Sequence, residues 1–176
     1  MKQKTSGLLA DFAPIRDEGT SITICYGLTK ANGDLYEWYE IYLPKKQNAQ
    51  LNLQMVKDAI IADIDAQTDE NILDGYEFTP DGSDTPIIVW LSKESQTNFS
   101  EAHRLQIVPV KFKLNETEDK QPIYHTFETM EDADDFYLHA VAYINNTLSA
   151  GWSEKDSIDW TPYEEYFPKN DNNSQE

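Results

Sequence analysis

Cysteine and basic residues are both scarce in this chain. It has 176 residues but a single cysteine, Cys25, which excludes an internal disulfide framework and a four-cysteine zinc site. Against 14 lysines and arginines stand 32 aspartates and glutamates, so the formal net charge is −18. The imbalance is strongest in residues 128–176, which hold 12 acids and 2 bases. Such a negative field repels free nucleic acid and anionic membranes, so we expect neither as a partner.

Long hydrophobic runs are also missing. No stretch approaches the roughly 20 apolar residues of a membrane-spanning helix, and the apolar stretch after the first lysines is too short for a secretory signal. We therefore expect no membrane insertion and a protein that is made in the cytoplasm.

The motifs of common catalytic and cofactor sites are absent as well. The sequence has no glycine-rich phosphate loop and no GxSxG nucleophile motif. His103, His125 and His139 share no metal-binding spacing, and the acidic run 131–135 lacks the alternating ligands of a calcium loop. These acids fall in the first turns of a predicted helix, and the positive end of the helix dipole explains them better. We expect no enzyme, no cofactor and no metal ion.

What is present begins with an arm and a β-hairpin. Residues 1–19 are predicted to form a flexible arm. Alternating apolar residues on either side of an Asn-Gly turn predict a hairpin over 20–43. One face of its second strand carries Tyr36, Trp38 and Tyr42, and the opposite face is apolar too. A lone hairpin buries one face in its own domain, so the second face needs either another element or another subunit.

Helical and strand patterns continue to residue 152. Apolar residues at three- and four-residue steps predict a helix over 51–67. The segment 75–152 is predicted to form two strands, a helix near 93–106 with Ser92 as its N-cap, a second hairpin, and a helix over 130–149. Gly151 stands where a helix-terminating glycine is expected.

These elements predict the fold class. The alternation of hairpins and helices indicates an α+β protein with antiparallel β-hairpins packed against three α-helices, in a single domain over 20–168.

The end of the chain is rich in aromatic side chains. Residues 153–168 follow the last helix and precede a polar tail, 169–176, that we expect to be disordered. Prolines at both ends of the aromatic part favour an extended path. Tryptophan and tyrosine dominate binding hot spots, so the segment is interpreted as contacting a neighbouring chain, although it could instead fold back onto its own core. The residues concerned are Trp160, Tyr163, Tyr166 and Phe167.

Three stretches between residues 89 and 152 together form one succession of predicted elements. VWLSKESQTNFSEAHRL at 89–105, VPVKFKL at 108–114 and YHTFETMEDADDFYLHAVAYINNTLSAGW at 124–152 give a tryptophan-bearing strand, a Ser/Asn-rich helix, a hairpin and a long helix. This pattern resembles an uncharacterised domain family of structural proteins from tailed phages and prophages, often in tail-fibre or tail-tip genes. With the upstream helix LQMVKDAIIADI it is similar to phage proteins of Bacteroides-type bacteria.

The resemblance implies a place in the virion and other phage structural proteins as partners. The family has no established active site. The 20–43 hairpin falls outside the resemblance and long fibre repeats are absent, so a short accessory, adaptor or tip module fits better than a complete fibre.

Two functions are therefore predicted. The first is a non-enzymatic phage or prophage structural or accessory protein that binds other tail proteins and forms a homo-oligomer. The alternative is an acidic soluble inhibitor that mimics DNA to block a host enzyme. Such mimicry needs carboxylates in rows that imitate phosphate spacing, and the neutral middle part of the chain, 89–127, argues against an extended mimic.

Overall fold

Antiparallel strands and α-helices make up the part of the chain that the computed structural model describes, residues 3–45, 50–80 and 83–167. This architecture confirms the predicted α+β fold class with β-hairpins. In chain order the elements are β1 (Thr5–Leu8), a 3-10 helix (Leu9–Asp11), β2 (Ile15–Asp17), β3 (Ser21–Asn32), β4 (Leu35–Pro44), α1 (Leu53–Asp74), β5 (Tyr76–Phe78), β6 (Ile87–Val89), α2 (Lys93–Arg104), β7 (Val110–Glu116), β8 (Pro122–Phe127), α3 (Met130–Asp156) and α4 (Thr161–Tyr166). The described residues thus hold four α-helices, one more than predicted. The tail 169–176 lies outside them.

The chain divides into two compact units where the sequence predicted one domain. The first unit draws on Met1–Gln67 and Trp152–Glu176, and the second is Thr68–Gly151. Both divisions fall inside long helices, α1 and α3, where no proline or loop-like segment interrupts the sequence. The second unit nearly coincides with the predicted segment 75–152.

A four-stranded antiparallel sheet forms the first unit, in the order β1-β4-β3-β2. The β3–β4 hairpin is its centre, with Ile24 opposite Ile41 and Tyr26 opposite Tyr39. These side chains face the first half of α1, where the buried Ile60 and its neighbours at helical spacing complete one core. The apolar residues at every second position of the strands therefore pack against the apolar residues at every third or fourth position of the helix.

The predicted flexible arm is wrong for the described part of residues 1–19, because this segment supplies both edge strands of the sheet. Leu8 of β1 lies opposite Leu35 of β4, and Ile15 of β2 lies opposite Ile24 of β3. The long central hairpin offers unpaired backbone N–H and C=O groups along its two outer edges, and the two short strands satisfy part of each edge.

The second unit packs two short hairpins, β5–β6 and β7–β8, against helices. A hydrogen bond of 2.9 Å from the Trp90 N–H to the Leu114 carbonyl brings the end of β6 beside β7. The inward side chains form an aromatic core around Phe136 of α3. The rings that Phe136 contacts are those of Tyr76, Phe78, Phe99, Phe112 and Phe127.

Helix ends follow the sequence signals in two places. Ser92 caps α2 as predicted, since its hydroxyl accepts a hydrogen bond of 3.1 Å from the Ser95 N–H. Helix α1 runs past its predicted end at residue 67 to Asp74 and ends before Gly75, whose φ of +82° is in the left-handed region that glycine tolerates.

Gly151 does not end a helix as the sequence predicted, because α3 continues through it to Asp156. A Cβ atom at Gly151 would lie 2.3 Å from the Thr68 Oγ1 on α1. The glycine is required there by the close approach of α1 and α3, rather than by a helix terminus.

Candidate protein-binding surface

Trp38 lies inside the first unit and not on a binding surface. Its side chain is 2% exposed. The ring of Phe12 packs edge-on against it, with ring centroids 5.8 Å apart, and Gly7 of β1 lies directly beside the indole. The part of the hairpin's second face that Trp38 occupies is therefore covered by the chain's own N-terminal segment. At Trp38 the covering element belongs to the same chain and not to another subunit.

Glu40 organises the rest of this face. Its carboxylate accepts hydrogen bonds from the Arg16 guanidinium at 2.6 Å, from the Trp38 indole at 3.0 Å and from the Tyr42 hydroxyl. Arg16 stands opposite Thr23 in the β2–β3 register and reaches Glu40 two strands away. Burial opposes ionisation of Glu40, but the hydrogen bonds outweigh it and its pKa lies below the usual value.

The other two aromatic residues of this face remain partly or largely accessible. Tyr42 is exposed although its hydroxyl is held by Glu40, and Tyr36 is half-buried. Of the three residues predicted for binding here, Tyr42 therefore presents the most surface.

The C-terminal aromatic segment folds back onto the first unit instead of running in an extended path. Its middle part forms helix α4, with a proline in the first turn, where the missing N–H of proline costs nothing. Tyr163 is 3% exposed and belongs to the core, and Trp160 and Phe167 pack partly buried against it. Only Tyr166 of the four predicted binding residues in this segment is exposed.

Tyr163 also completes the backbone pairing of the sheet. The Cys25 N–H donates to the Pro14 carbonyl at 2.9 Å, but Pro14 has no N–H to return the bond to the Cys25 carbonyl. The Tyr163 hydroxyl takes that place and donates to the Cys25 oxygen at 2.6 Å. Burial raises the pKa of this hydroxyl, so it stays a donor.

Three exposed apolar residues of the second unit lie on the solvent side of its strands. Ile88, Trp90 and Tyr124 are 39%, 42% and 52% exposed. Ile88 and Trp90 alternate with the buried Val89 and Leu91, so both point away from the aromatic core. Tyr124 stands opposite Lys113 on the outward side of β7–β8.

Charged residues of both signs frame these three side chains. Lys111 lies over the Tyr124 ring at 4.5 Å, and Lys113 forms an ion pair with Glu116. On the other side, Glu77 of β5 stands opposite Ile88. We call this surface the Trp90 face, and it comprises Glu77, Ile88, Trp90, Lys111, Lys113 and Tyr124.

A polar cleft of about 620 Å³ opens elsewhere in the second unit. Phe78, His125 and Phe127 contribute to its walls, and four carboxylates line it, those of Glu128, Glu131, Asp132 and Asp135. Asp132 lies in the first turn of α3, and its carboxylate accepts a hydrogen bond of 2.7 Å from the Thr129 hydroxyl. The acids thus lie at the start of α3, where the helix dipole favours negative charge.

The cysteine and the histidines that could carry chemistry are buried or held by neighbouring side chains. Burial raises the pKa of the Cys25 thiol to about 11, so it is not a thiolate at neutral pH. His103 stacks on Tyr137 at 4.0 Å and His139 contacts Asp135, so the two histidines have separate partners. Over residues 3–45, 50–80 and 83–167, no group of three or more His, Cys, Asp or Glu side chains is placed to hold a metal ion.

None of the described helices is both long enough and apolar enough to cross a membrane.

Comparison of the chain with family models, with curated proteins and with solved structures gives no match.

Sequence reasoning missed the Trp90 face because it concentrated on aromatic density. The sequence predicts Ile88 and Trp90 only as parts of a strand, and Lys111 and Lys113 only as the polar side of an alternating strand. The signal that could have found the face is the unbroken apolar run at residues 87–91, which makes both faces of a short strand apolar although only one can be buried in its own unit.

Proposed function

We propose that the protein is a non-enzymatic structural protein that binds other proteins, of the accessory kind found in the tails of phages. The observation that carries the proposal is the exposure of Ile88, Trp90 and Tyr124 on one side of neighbouring strands, the Trp90 face. The phage setting is supported by the pattern of residues 89–152, which includes most of this face.

Apolar side chains of this kind are costly to leave in water. A tryptophan side chain presents up to about 250 Å², so the exposed part of Trp90 amounts to roughly 100 Å² and its burial contributes about 2.5 kcal/mol. Ile88 and Tyr124 add to this amount. Tryptophan and tyrosine are also the residues that most often carry the binding energy of protein interfaces.

The test is whether the protein is part of a particle. Phage particles produced by a culture that carries the gene are purified on a density gradient and analysed by quantitative mass spectrometry. The chain should sediment with the particles in a fixed ratio to the major tail protein. The variant Trp90→Glu should stay in the soluble fraction.

The matched control is Leu138→Glu, which places the same charge at an exposed leucine on α3 in the same unit. This variant should enter particles like the unaltered chain. Absence of the unaltered chain from the particles would contradict the phage setting, and equal behaviour of the two variants would contradict binding through the Trp90 face.

The carboxylates of the polar cleft favour a second candidate, an acidic inhibitor of a DNA-binding enzyme. Glu128, Glu131, Asp132 and Asp135 bring four negative charges to one side of the second unit. Competition between the chain and a DNA duplex for a host nuclease tests it. Protection of the DNA that disappears in the double variant Glu128→Gln with Glu131→Gln would support this candidate, and no protection would reject it.

A further inference from the structure

The Trp90 face has a charge pattern unlike the rest of the chain. Its two lysines, Lys111 and Lys113, are balanced by Glu77 and by Glu116, the ion-pair partner of Lys113. The whole chain carries 32 acids against 14 bases. Two copies of a protein with a net charge of −18 repel each other, and this repulsion is weakest where a neutral, apolar surface of one copy meets the same surface of the other.

The order of the charges across the strands is self-complementary. Glu77 lies on β5, Ile88 and Trp90 follow on and after β6, and the two lysines lie on β7. A two-fold axis along β6, through Ile88 and Trp90, places β5 of one copy, which carries Glu77, over β7 of the other copy, which carries the two lysines, twice per pair. This is the relationship that an isologous interface requires, since each patch must fit itself.

We propose that the Trp90 face binds the same face of a second copy of this chain, so that the protein forms a two-fold symmetric dimer. The inference rests on the proposed function and gives it a partner. The Trp90 and Ile88 side chains of both copies form the centre of the interface, and at its two ends Glu77 of one copy lies over the strand that carries Lys111 in the other.

The size of the face sets the strength of the dimer. Four strands spaced about 4.8 Å apart, of 3 to 7 residues each at about 3.3 Å per residue, give a patch of at most roughly 20 Å by 20 Å. This is smaller than the about 800 Å² per partner of a standard stable interface. The dimer therefore dissociates on dilution, and salt strengthens it because screening reduces the repulsion between the two acidic copies.

The mass of the full chain in solution tests the dimer. Sedimentation equilibrium is measured from micromolar to millimolar concentration, at low and at high salt. The unaltered chain should shift from monomer to dimer with concentration, at lower concentration in high salt. Trp90→Glu should weaken association by about thirtyfold or more, as removal of a hot-spot residue does, whereas Leu138→Glu should leave it unchanged.

Charge exchange tests the geometry without removing the apolar centre. Glu77→Lys and Lys111→Glu, each alone, should weaken the dimer because like charges then face each other. An equal mixture of the two variants should form a mixed dimer, because positions 77 and 111 again carry opposite charges across the axis. Circular dichroism of each variant checks that its fold is retained.

The outcomes separate this inference from the proposed function. A monomer at every concentration and both salt levels, or a dimer that Trp90→Glu leaves intact, overturns the second copy as the partner. A mixture of the charge variants that stays monomeric while the unaltered chain dimerises overturns the two-fold arrangement. A monomeric chain that is still incorporated into particles would refute the dimer alone and leave the structural role standing.

Discussion

The Tyr163 hydroxyl donates a hydrogen bond of 2.6 Å to the Cys25 carbonyl oxygen, across 138 positions of the chain. It fills the place that the N–H of residue 14 would occupy if that residue were not proline. The C-terminal aromatic segment is thus part of the first unit's core and of its backbone pairing, and Tyr163 is not accessible to a neighbouring chain.

Tyr163→Phe is predicted to destabilise the protein by about 1–3 kcal/mol, because it leaves the buried Cys25 carbonyl without a donor. Urea unfolding, followed by circular dichroism, measures the change. Tyr166→Phe is the control, since it removes a hydroxyl from an exposed ring of the same helix and should change the stability by less than about 0.5 kcal/mol.

Pro14→Ala should rescue part of this loss. The alanine N–H can donate to the Cys25 carbonyl, so Tyr163→Phe should cost less in the Pro14→Ala background than in the unaltered chain. A double-mutant cycle by urea unfolding measures the coupling. Additive effects of the two changes would contradict this description of the pairing.

Gly151→Ala is predicted to destabilise the second unit, although alanine is normally about 1 kcal/mol better than glycine inside a helix. The new methyl group would lie 2.3 Å from the Thr68 Oγ1, so the Thr68 side chain or the two helices must shift, at a cost of about 1–3 kcal/mol. Thermal and urea unfolding measure the effect. In a Thr68→Ala background the same change should cost less, and an unchanged cost there would show that the close approach is not the cause.

Phe12→Ala is predicted to destabilise the first unit by about 1–3 kcal/mol, because the ring covers Trp38 and the change leaves a cavity beside it. Unfolding by urea is the measurement. The exposed Leu9, a few residues earlier, provides the control Leu9→Ala, which should be close to neutral. A neutral Phe12→Ala would mean that the N-terminal segment does not hold the sheet's second face.

Glu40 is predicted to make stability depend on pH at the acidic end. Its pKa in the folded protein is lower than in the unfolded chain, so its contribution is fully present above the unfolded value of 4.5 and is lost as the pH falls through the folded value. Falling pH also relieves the general repulsion of an acidic protein, which acts in the opposite direction.

The difference in the free energy of unfolding between the unaltered chain and Glu40→Gln gives the contribution of the Glu40 carboxylate alone. The unaltered chain should be the more stable of the two at neutral pH, and the gap should narrow as the pH falls below 4.5. Urea unfolding at a series of pH values measures it. A gap that stays constant with pH would contradict the assignment of Glu40 as an ionised acceptor for Arg16 and Trp38.

The sequence predicts those parts of the fold whose signals are local. The Asn-Gly turn, the alternation in β3 and β7, and the Ser92 cap each act within a few residues, and each appears where expected. Gly151 carries the same local signal as a helix-ending glycine, but its real constraint is Thr68 on another helix, and no local pattern contains that information.

Contacts between distant positions also explain the errors about binding residues. Trp38 is covered by Phe12, which lies in an N-terminal segment without periodicity. Tyr163 is hydrogen-bonded to Cys25, which lies far away in the chain. Aromatic density alone does not separate a core from a surface. The burial pattern around Trp90 does, because its neighbours Val89 and Leu91 already fill the inward positions.

Hydroxyl-radical footprinting of the full chain tests the role of the Trp90 face most directly. Oxidation of Trp90 and Tyr124 is measured by mass spectrometry at low and at high protein concentration, with the exposed Tyr42 and Tyr166 as internal references. We expect Trp90 and Tyr124 to become protected as concentration rises while Tyr42 and Tyr166 do not. Protection of Tyr166 or Tyr42 with Trp90 unchanged would contradict binding through the Trp90 face and would return the binding surface to the first unit.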